Sequence, residues 1–167
     1  EYMSQTIHDF KNFFKPDKEK KTFLIKSSID SILRIIGSQL RFAEIELDIN
    51  GDMGLEAFGL VNEFKQAIMI ILNNARDALE ERESYERYID IHFSVVNQKS
   101  QITISDNAGG IPEDIIEKVF EPYFTTKDEQ KGTGIGLSLA KSIIEENMDG
   151  TISVENLGKG ACFTITI

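Results

Sequence analysis

The chain has 167 residues, enough for one domain with a sizeable core and too few for two complete ones. Its formal net charge of −10 opposes counterion-release binding to nucleic acid and adsorption to anionic lipid, so neither is an expected partner. The single cysteine, Cys162, reads as a core residue; it excludes an intrachain disulfide and a cysteine-rich zinc site and fits a reducing compartment. The longest apolar run, residues 67–72, is far shorter than the roughly 20 residues that cross a bilayer, and EYMSQTIHDF at the start does not resemble a signal peptide.

In chain order, Met3, Ile7, Phe10 and Phe14 recur at the a/d spacing of a helix that packs against partner helices, and Pro16 ends it. The charged stretch PDKEKK reads as a linker, so the chain divides into an N-terminal helix (1–15), a linker (16–21) and a globular domain (22–167). Within that domain the pattern predicts a strand at 22–25, a helix at 28–42, a strand at 44–49 and a long helix at 61–82. Strands at 88–96 and 101–105 follow, joined by a hairpin turn at 97–100. Next come a short helix at 113–119, an irregular polar stretch at 121–131, a helix after the glycines of GTGIGL, and closing strands at 151–155 and 161–167. Paired strands with helices between them give an α+β two-layer sandwich, in which a mixed, mainly antiparallel sheet is covered on one face by helices.

Three polar motifs interrupt this pattern. GTGIGL (132–137) runs into SLAKSIIEEN and reads as a phosphate-binding helix start, because glycines let the backbone approach an anion and a helix N-terminus offers unpaired N–H groups. It is not a dinucleotide fingerprint, since the spacing is GxGxG after the polar YFTTKDEQK, and no GK[ST] of a P-loop is present. In ILNNARDAL (71–79) the buried stripe expected of the long helix is Phe64, Ala67, Ile68, Ile71, Ala75, Ala78 and Leu79. Asn74 lies on that stripe, whereas Asn73 shares the polar side with Gln66. An inward amide needs partners, which either backbone groups or a bound polar ligand with its metal supply. ISDNAGGIP (104–112) puts Asp106 at a strand end, with Gly109 and Gly110 turning the chain and Pro112 opening a helix. Alone, it is either an Asx-turn with a helix entry or a carboxylate aimed into a cleft, accepting from an exocyclic amine such as that of adenine while glycine leaves room for a planar ring.

In order and spacing these motifs resemble the N, G1 and G2 boxes of the nucleotide-binding domain of sensor histidine kinases, within the superfamily shared with gyrase, heat-shock chaperone and mismatch-repair ATPases. KVFEPYFTTK (118–127) resembles the F box and GKGACFTITI (158–167) the closing glycine-containing strand, so the resemblance covers nearly all of 22–167. It implies a Bergerat-type ATP-binding fold with ATP and Mg²⁺ as cofactors. Asn74 is then the implied Mg²⁺ ligand, Asp106 the acceptor for the adenine amino group, Gly110 the glycine under the ring, and Gly132, Gly134 and Gly136 the residues at the phosphates. Asp77, Ile111, Phe120, Thr133, Ile135 and Leu137 complete the implied nucleotide contacts. Residues 121–133 become a mobile lid, with Lys127 either a phosphate contact or a solvated loop lysine.

The departures carry meaning. Ile70 stands where the family often has a second asparagine and where ATP-hydrolysing members have a glutamate that activates water; isoleucine cannot act as that base. Ala108 replaces a glycine, and Ala161 stands where threonine is common. The resemblance therefore implies a protein-histidine kinase domain of a two-component system, which donates the γ-phosphoryl group of ATP to a histidine on a dimerisation hairpin outside the chain. His92 only alternates within a strand. His8, in HDFKNF, matches the acceptor pattern apart from Phe13 in place of proline, but no second hairpin helix fits between it and Asn74. Residues 1–15 thus resemble the end of the second hairpin helix, and the chain alone is not expected to autophosphorylate. The implied partners are its own hairpin in a full-length homodimer and a response regulator receiver domain. The chain itself is expected to be monomeric and cytoplasmic, whether or not its parent is an inner-membrane sensor. Three alternatives stand beside this reading: an ATPase, which Ile70 disfavours, a pseudokinase that binds nucleotide or a partner only, and an anti-sigma-type protein serine kinase, which would not carry the hairpin remnant.

Overall fold

Alternation along the strands decides the layering. In the computed structural model, which describes residues 11, 15–17, 19–82, 86–127 and 132–167, five strands form one sheet: β2 (Ile45–Gly51), β4 (Arg87–Val96), β5 (Lys99–Asp106), β6 (Thr151–Leu157) and β7 (Gly160–Thr166). Their order is β2-β4-β5-β7-β6; β2 runs parallel to β4 and every other pair is antiparallel. The register lines up apolar rows on one face. Phe93 stands opposite Ile102, Ile102 opposite Ile165 and Ile165 opposite Ile152, while Ile91, Ile104, Phe163 and Val154 form the next row. The intervening residues of β4, among them Asp90 and His92, are left on the solvent face.

Helices cover the apolar face, as the α+β sandwich requires: α1 (Ile25–Phe42), α2 (Val61–Glu81) and α3 (Gly136–Ser142), which continues through a π-helical turn at Ile143–Asn147. On α2 the residues Phe64, Ala67, Ile68, Ile71, Ala75 and Leu79 are buried as the periodicity predicts, and Leu72 joins them. Ala78 departs from the prediction. It is exposed, because at that level of the helix the sheet face has given way to a cleft.

Two further differences concern short elements. Strand β3 (Glu56–Gly59) was not predicted; it pairs antiparallel with β1 (Lys21–Leu24) in a separate two-stranded sheet. Its inward residues are Ala57 and Gly59, too small to produce an apolar alternation in the sequence. The helix predicted at 113–119 shrinks to a 3₁₀ turn at Ile116–Lys118, entered through amides of Ile115 and Ile116 that both donate to the Pro112 carbonyl at 3.1 Å.

The N-terminus of α2 has Leu60 at its cap position and no side-chain cap of its own. Asp17 supplies one: its Oδ2 accepts from the amides of Asn62 (2.7 Å) and Glu63 (3.1 Å). The predicted seam Met3, Ile7, Phe10 and Phe14, and His8, lie outside the described residues. No helix among the described residues is long and apolar enough to cross a membrane.

Candidate functional site

Strand β5 ends at Asp106, and the way the chain leaves the sheet there creates one end of a cleft. Asp106 Oδ1 accepts from the backbone amides of Ala108 (2.9 Å) and Ala161 (3.3 Å), capping its own turn and tying it to β7. Oδ2 has no donor among the described residues. The Asx-turn reading of ISDNAGGIP is thus seen in Oδ1, while Oδ2 accepts no hydrogen bond among the described residues. Burial pushes the Asp106 carboxyl above the usual carboxylate range, and the two amides offset this only in part. Beyond it Gly110 adopts φ +82°, and a Cβ there would stand 2.6 Å from Asn156 Oδ1, so both the backbone conformation and the close approach of Asn156 favour glycine at this point of the cleft lining.

Helix α2 forms the second wall. Asn74, Ala75 and Ala78 line the cleft, with Glu81 and Arg82 at its end. Asn74 is half-buried, and its amide has no hydrogen-bond partner among the described residues. Arg82 donates through Nη1 to the Asn107 carbonyl and ties the helix end to the Asp106 turn. One turn earlier, Asp77 accepts from Lys127 Nζ (2.5 Å) and from Arg76 Nη2 (2.7 Å). Burial alone would raise the Asp77 carboxyl, but these hydrogen bonds and the two positive charges outweigh it and hold the group below the usual range.

The third wall comes from residues 121–127 and the glycines ahead of α3. The Tyr123 amide donates to the Gly134 carbonyl at 2.8 Å. Gly134 adopts φ +67°, and a Cβ on it would lie 2.4 Å from the Tyr123 carbonyl carbon, so this close approach admits only glycine. The cleft has a volume of about 660 Å³, within the range of small-molecule sites.

Of the predicted residues, the cleft brings together Asn74, Asp106, Gly110, Ile111, Lys127, Gly132, Thr133, Gly134, Gly136 and Leu137. Asp77 stands outside the lining and holds Lys127. Phe120 also stands outside, edge-on to Phe163 with centroids 6.2 Å apart, and Phe163 itself lines the cleft. Ile135 is exposed and outside the lining. The apolar wall of Ile115, Val119, Ala161 and Phe163, and the pair Glu81 and Arg82, were not foreseen. Phe163 is legible only as an inward strand residue; nothing in the periodicity says that the sheet face continues past the helices into open space.

Among the described residues no cluster of three or more His, Cys, Asp or Glu side chains is placed to hold a metal ion. Asn74 offers one oxygen. Magnesium takes few protein ligands and keeps waters and phosphate oxygens, so these residues fit a metal that arrives with a phosphorylated ligand and do not fit a free-standing metal site.

Residues 59–167 match the family described as Histidine kinase-, DNA gyrase B-, and HSP90-like ATPase. The two-component sensor PprA of Pseudomonas aeruginosa is 32% identical over 145 residues, which cover 84% of this chain and 16% of PprA. The chain thus spans about a sixth of that relative. Among solved structures, the nucleotide-free catalytic domain of histidine kinase ThkA superposes with a TM-score of 0.78 at 26% identity, covering 89% of this chain and 95% of that one. ThkA in complex with the response regulator protein TrrA superposes with a TM-score of 0.70 at 23% identity, covering 99% of this chain and 46% of that one.

Proposed function

This chain belongs to the histidine kinase-, DNA gyrase B- and HSP90-like ATPase family, and from that premise we propose that it is the ATP-binding catalytic domain of a sensor histidine kinase. It binds ATP with Mg²⁺ and donates the γ-phosphoryl group to a histidine on a dimerisation hairpin; a response regulator receiver domain then takes the phosphoryl group. The observation that carries this reading is that Asp106, one of whose carboxylate oxygens accepts no hydrogen bond among the described residues, and Asn74, whose amide has no partner among them, line the same cleft as Gly132 and Gly134.

Asp106 Oδ2 accepts from the adenine amino group while Gly110 leaves room beneath the ring, and Phe163 and Ile111 exclude water from its faces. Gly132, Thr133 and Gly134 take the phosphate end, with Lys127 released from Asp77 as its phosphate partner. Asn74 would hold the magnesium ion, which when bound supplies charge neutralisation along the phosphates. The protein's part is positioning and electrostatic stabilisation. Neutral imidazole needs no general base, so none is required of this domain. Ile70 packs within reach of Gly136, where a Cβ would meet its Cγ2 at 3.3 Å; a methyl group there cannot activate water, which favours transfer to a protein group over hydrolysis. In this reading residues 22–167 are the catalytic domain, 16–21 the linker and 1–15 the end of a hairpin helix; the chain is a cytoplasmic monomer.

The test is phosphotransfer in trans. The chain, the hairpin of its parent protein and γ-labelled ATP should together give acid-labile phosphate on the hairpin, and the chain alone should remain unlabelled. Free phosphate without hairpin labelling would support an ATPase, and acid-stable label on a protein substrate would support a serine kinase.

A further inference from the structure

We propose that Asn156 is a positioning residue for the nucleotide base: from outside the cleft, its side chain holds the backbone that forms the floor beside Asp106. The inference rests on the nucleotide reading above. Asn156 Nδ2 donates to the Ile111 carbonyl at 2.7 Å, and Oδ1 accepts from the Ile111 amide at 2.8 Å. One side chain thus engages both polar groups of one residue, as a neighbouring strand would.

The same amide bounds the preceding residue. A Cβ on Gly110 would come within 2.6 Å of Asn156 Oδ1 and 3.0 Å of its Cγ, so the Asn156 carboxamide lies close against Gly110 and leaves no room for a side chain there. The surrounding turn adds backbone support. Asn156 is registered opposite Ala161, whose amide donates to Asp106 Oδ1, and Lys159 accepts from the Gly109 amide at 2.8 Å. The tie from Asn156 runs through a side chain outside the cleft lining, so substitution removes it without touching Asp106.

Asn156 is exposed on β6, an edge strand. Water would satisfy the Ile111 amide and carbonyl if the clamp were absent, so the pair adds little net stability. What it adds is geometry. Without it Gly110 and Ile111, both on the cleft lining, are free to move relative to Asp106, whose own position is held by Ala108 and Ala161. Base recognition then degrades while the distant glycines at 132–134 are untouched.

The test compares the 167-residue chain with its Asn156→Ala variant. Each is titrated with ATP and with ADP in the presence of Mg²⁺, melted without nucleotide, and followed by hydrogen exchange at the Ile111 amide. The expected result is faster exchange at Ile111 and affinities for ATP and ADP that fall by the same factor, about tenfold, at an unchanged melting temperature. Asn156→Asp, which keeps the acceptor but turns a carboxylate oxygen on the Ile111 carbonyl, should lose affinity as well. Faster exchange with unchanged affinity overturns the proposal, as does affinity lost together with melting temperature or a shifted ATP to ADP ratio. A wild-type chain that takes neither nucleotide overturns the nucleotide reading itself, and the proposal with it.

Discussion

Replacing Asp106 with asparagine separates the two tasks of its carboxyl group. The asparagine oxygen keeps the amides of Ala108 and Ala161, now at 2.9 and 3.3 Å from Oδ1, so the turn is preserved. At the Oδ2 position an NH₂ group replaces the acceptor and, under the proposed function, would face the donor of the adenine amine. The lost interaction is a hydrogen bond to a charged group, about 1.5–3 kcal/mol, so affinity for ATP should fall about 10- to 150-fold. Stability should move the other way. Burial holds the Asp106 pKa above its ordinary value in the folded state, so the folded protein keeps that proton more tightly than the unfolded chain. Stability therefore falls as pH rises from the ordinary carboxylate pKa to the raised one, and at neutral pH the ionised carboxylate is a cost to folding. Asparagine removes that cost, and the variant should melt no lower than wild type at pH 7. Calorimetric titration and thermal melting on the same samples check both halves. Retained affinity would show that Oδ2 does not hold the base, and affinity lost together with melting temperature would show that the carboxylate serves only the turn.

Other substitutions probe the supports of the site. Asp17→Ala removes the cap from the Asn62 and Glu63 amides and should cost about 1 kcal/mol, read as a drop of about 2–4 °C in melting temperature; an unchanged melt would show that the cap carries no weight. Gly134→Ala combines φ +67° with a Cβ 2.4 Å from the Tyr123 backbone and should lower both stability, by about 1–3 kcal/mol, and nucleotide affinity. Gly158→Ala, at φ +60° with nothing within 4 Å of its Cβ, is the control, and titration should find its affinity unchanged. Asp77 has its pKa lowered, so its contribution to stability is present above the ordinary carboxylate pKa and is lost as pH falls through the depressed one. Asp77→Asn should therefore flatten the acid limb of the melting profile while costing no more than about 1 kcal/mol at neutral pH, because the pair with Lys127 is partly solvated; a larger loss at pH 7 would contradict this.

Motif residues such as Asn74, Asp106 and Gly132 were legible because each departs from the local pattern: a polar amide on an apolar stripe, a carboxylate at a strand end, alternating glycines before a helix. Their convergence on one cleft follows once the five strands are in order. The contacts that hold them were not legible. Lys127 with Asp77, Arg82 with the Asn107 carbonyl, and Asn156 with Ile111 each join residues far apart in sequence, and a polar pair has no period to detect. Strand β3 escaped for a related reason, since Ala57 and Gly59 bury too little to mark a face. Ala78 shows the opposite error: helical spacing gave its direction correctly, but it cannot tell a packed core from an open cleft on the same side of the helix.

The most direct test of the account is titration of the chain with ATP, with and without Mg²⁺, beside the Asn74→Ala variant. If Asn74 holds the magnesium ion, ATP binds, Mg²⁺ tightens it, and the variant loses the dependence on Mg²⁺ while still taking the nucleotide. Absence of binding by the wild-type chain, or a variant whose Mg²⁺ dependence equals that of wild type, would contradict the account.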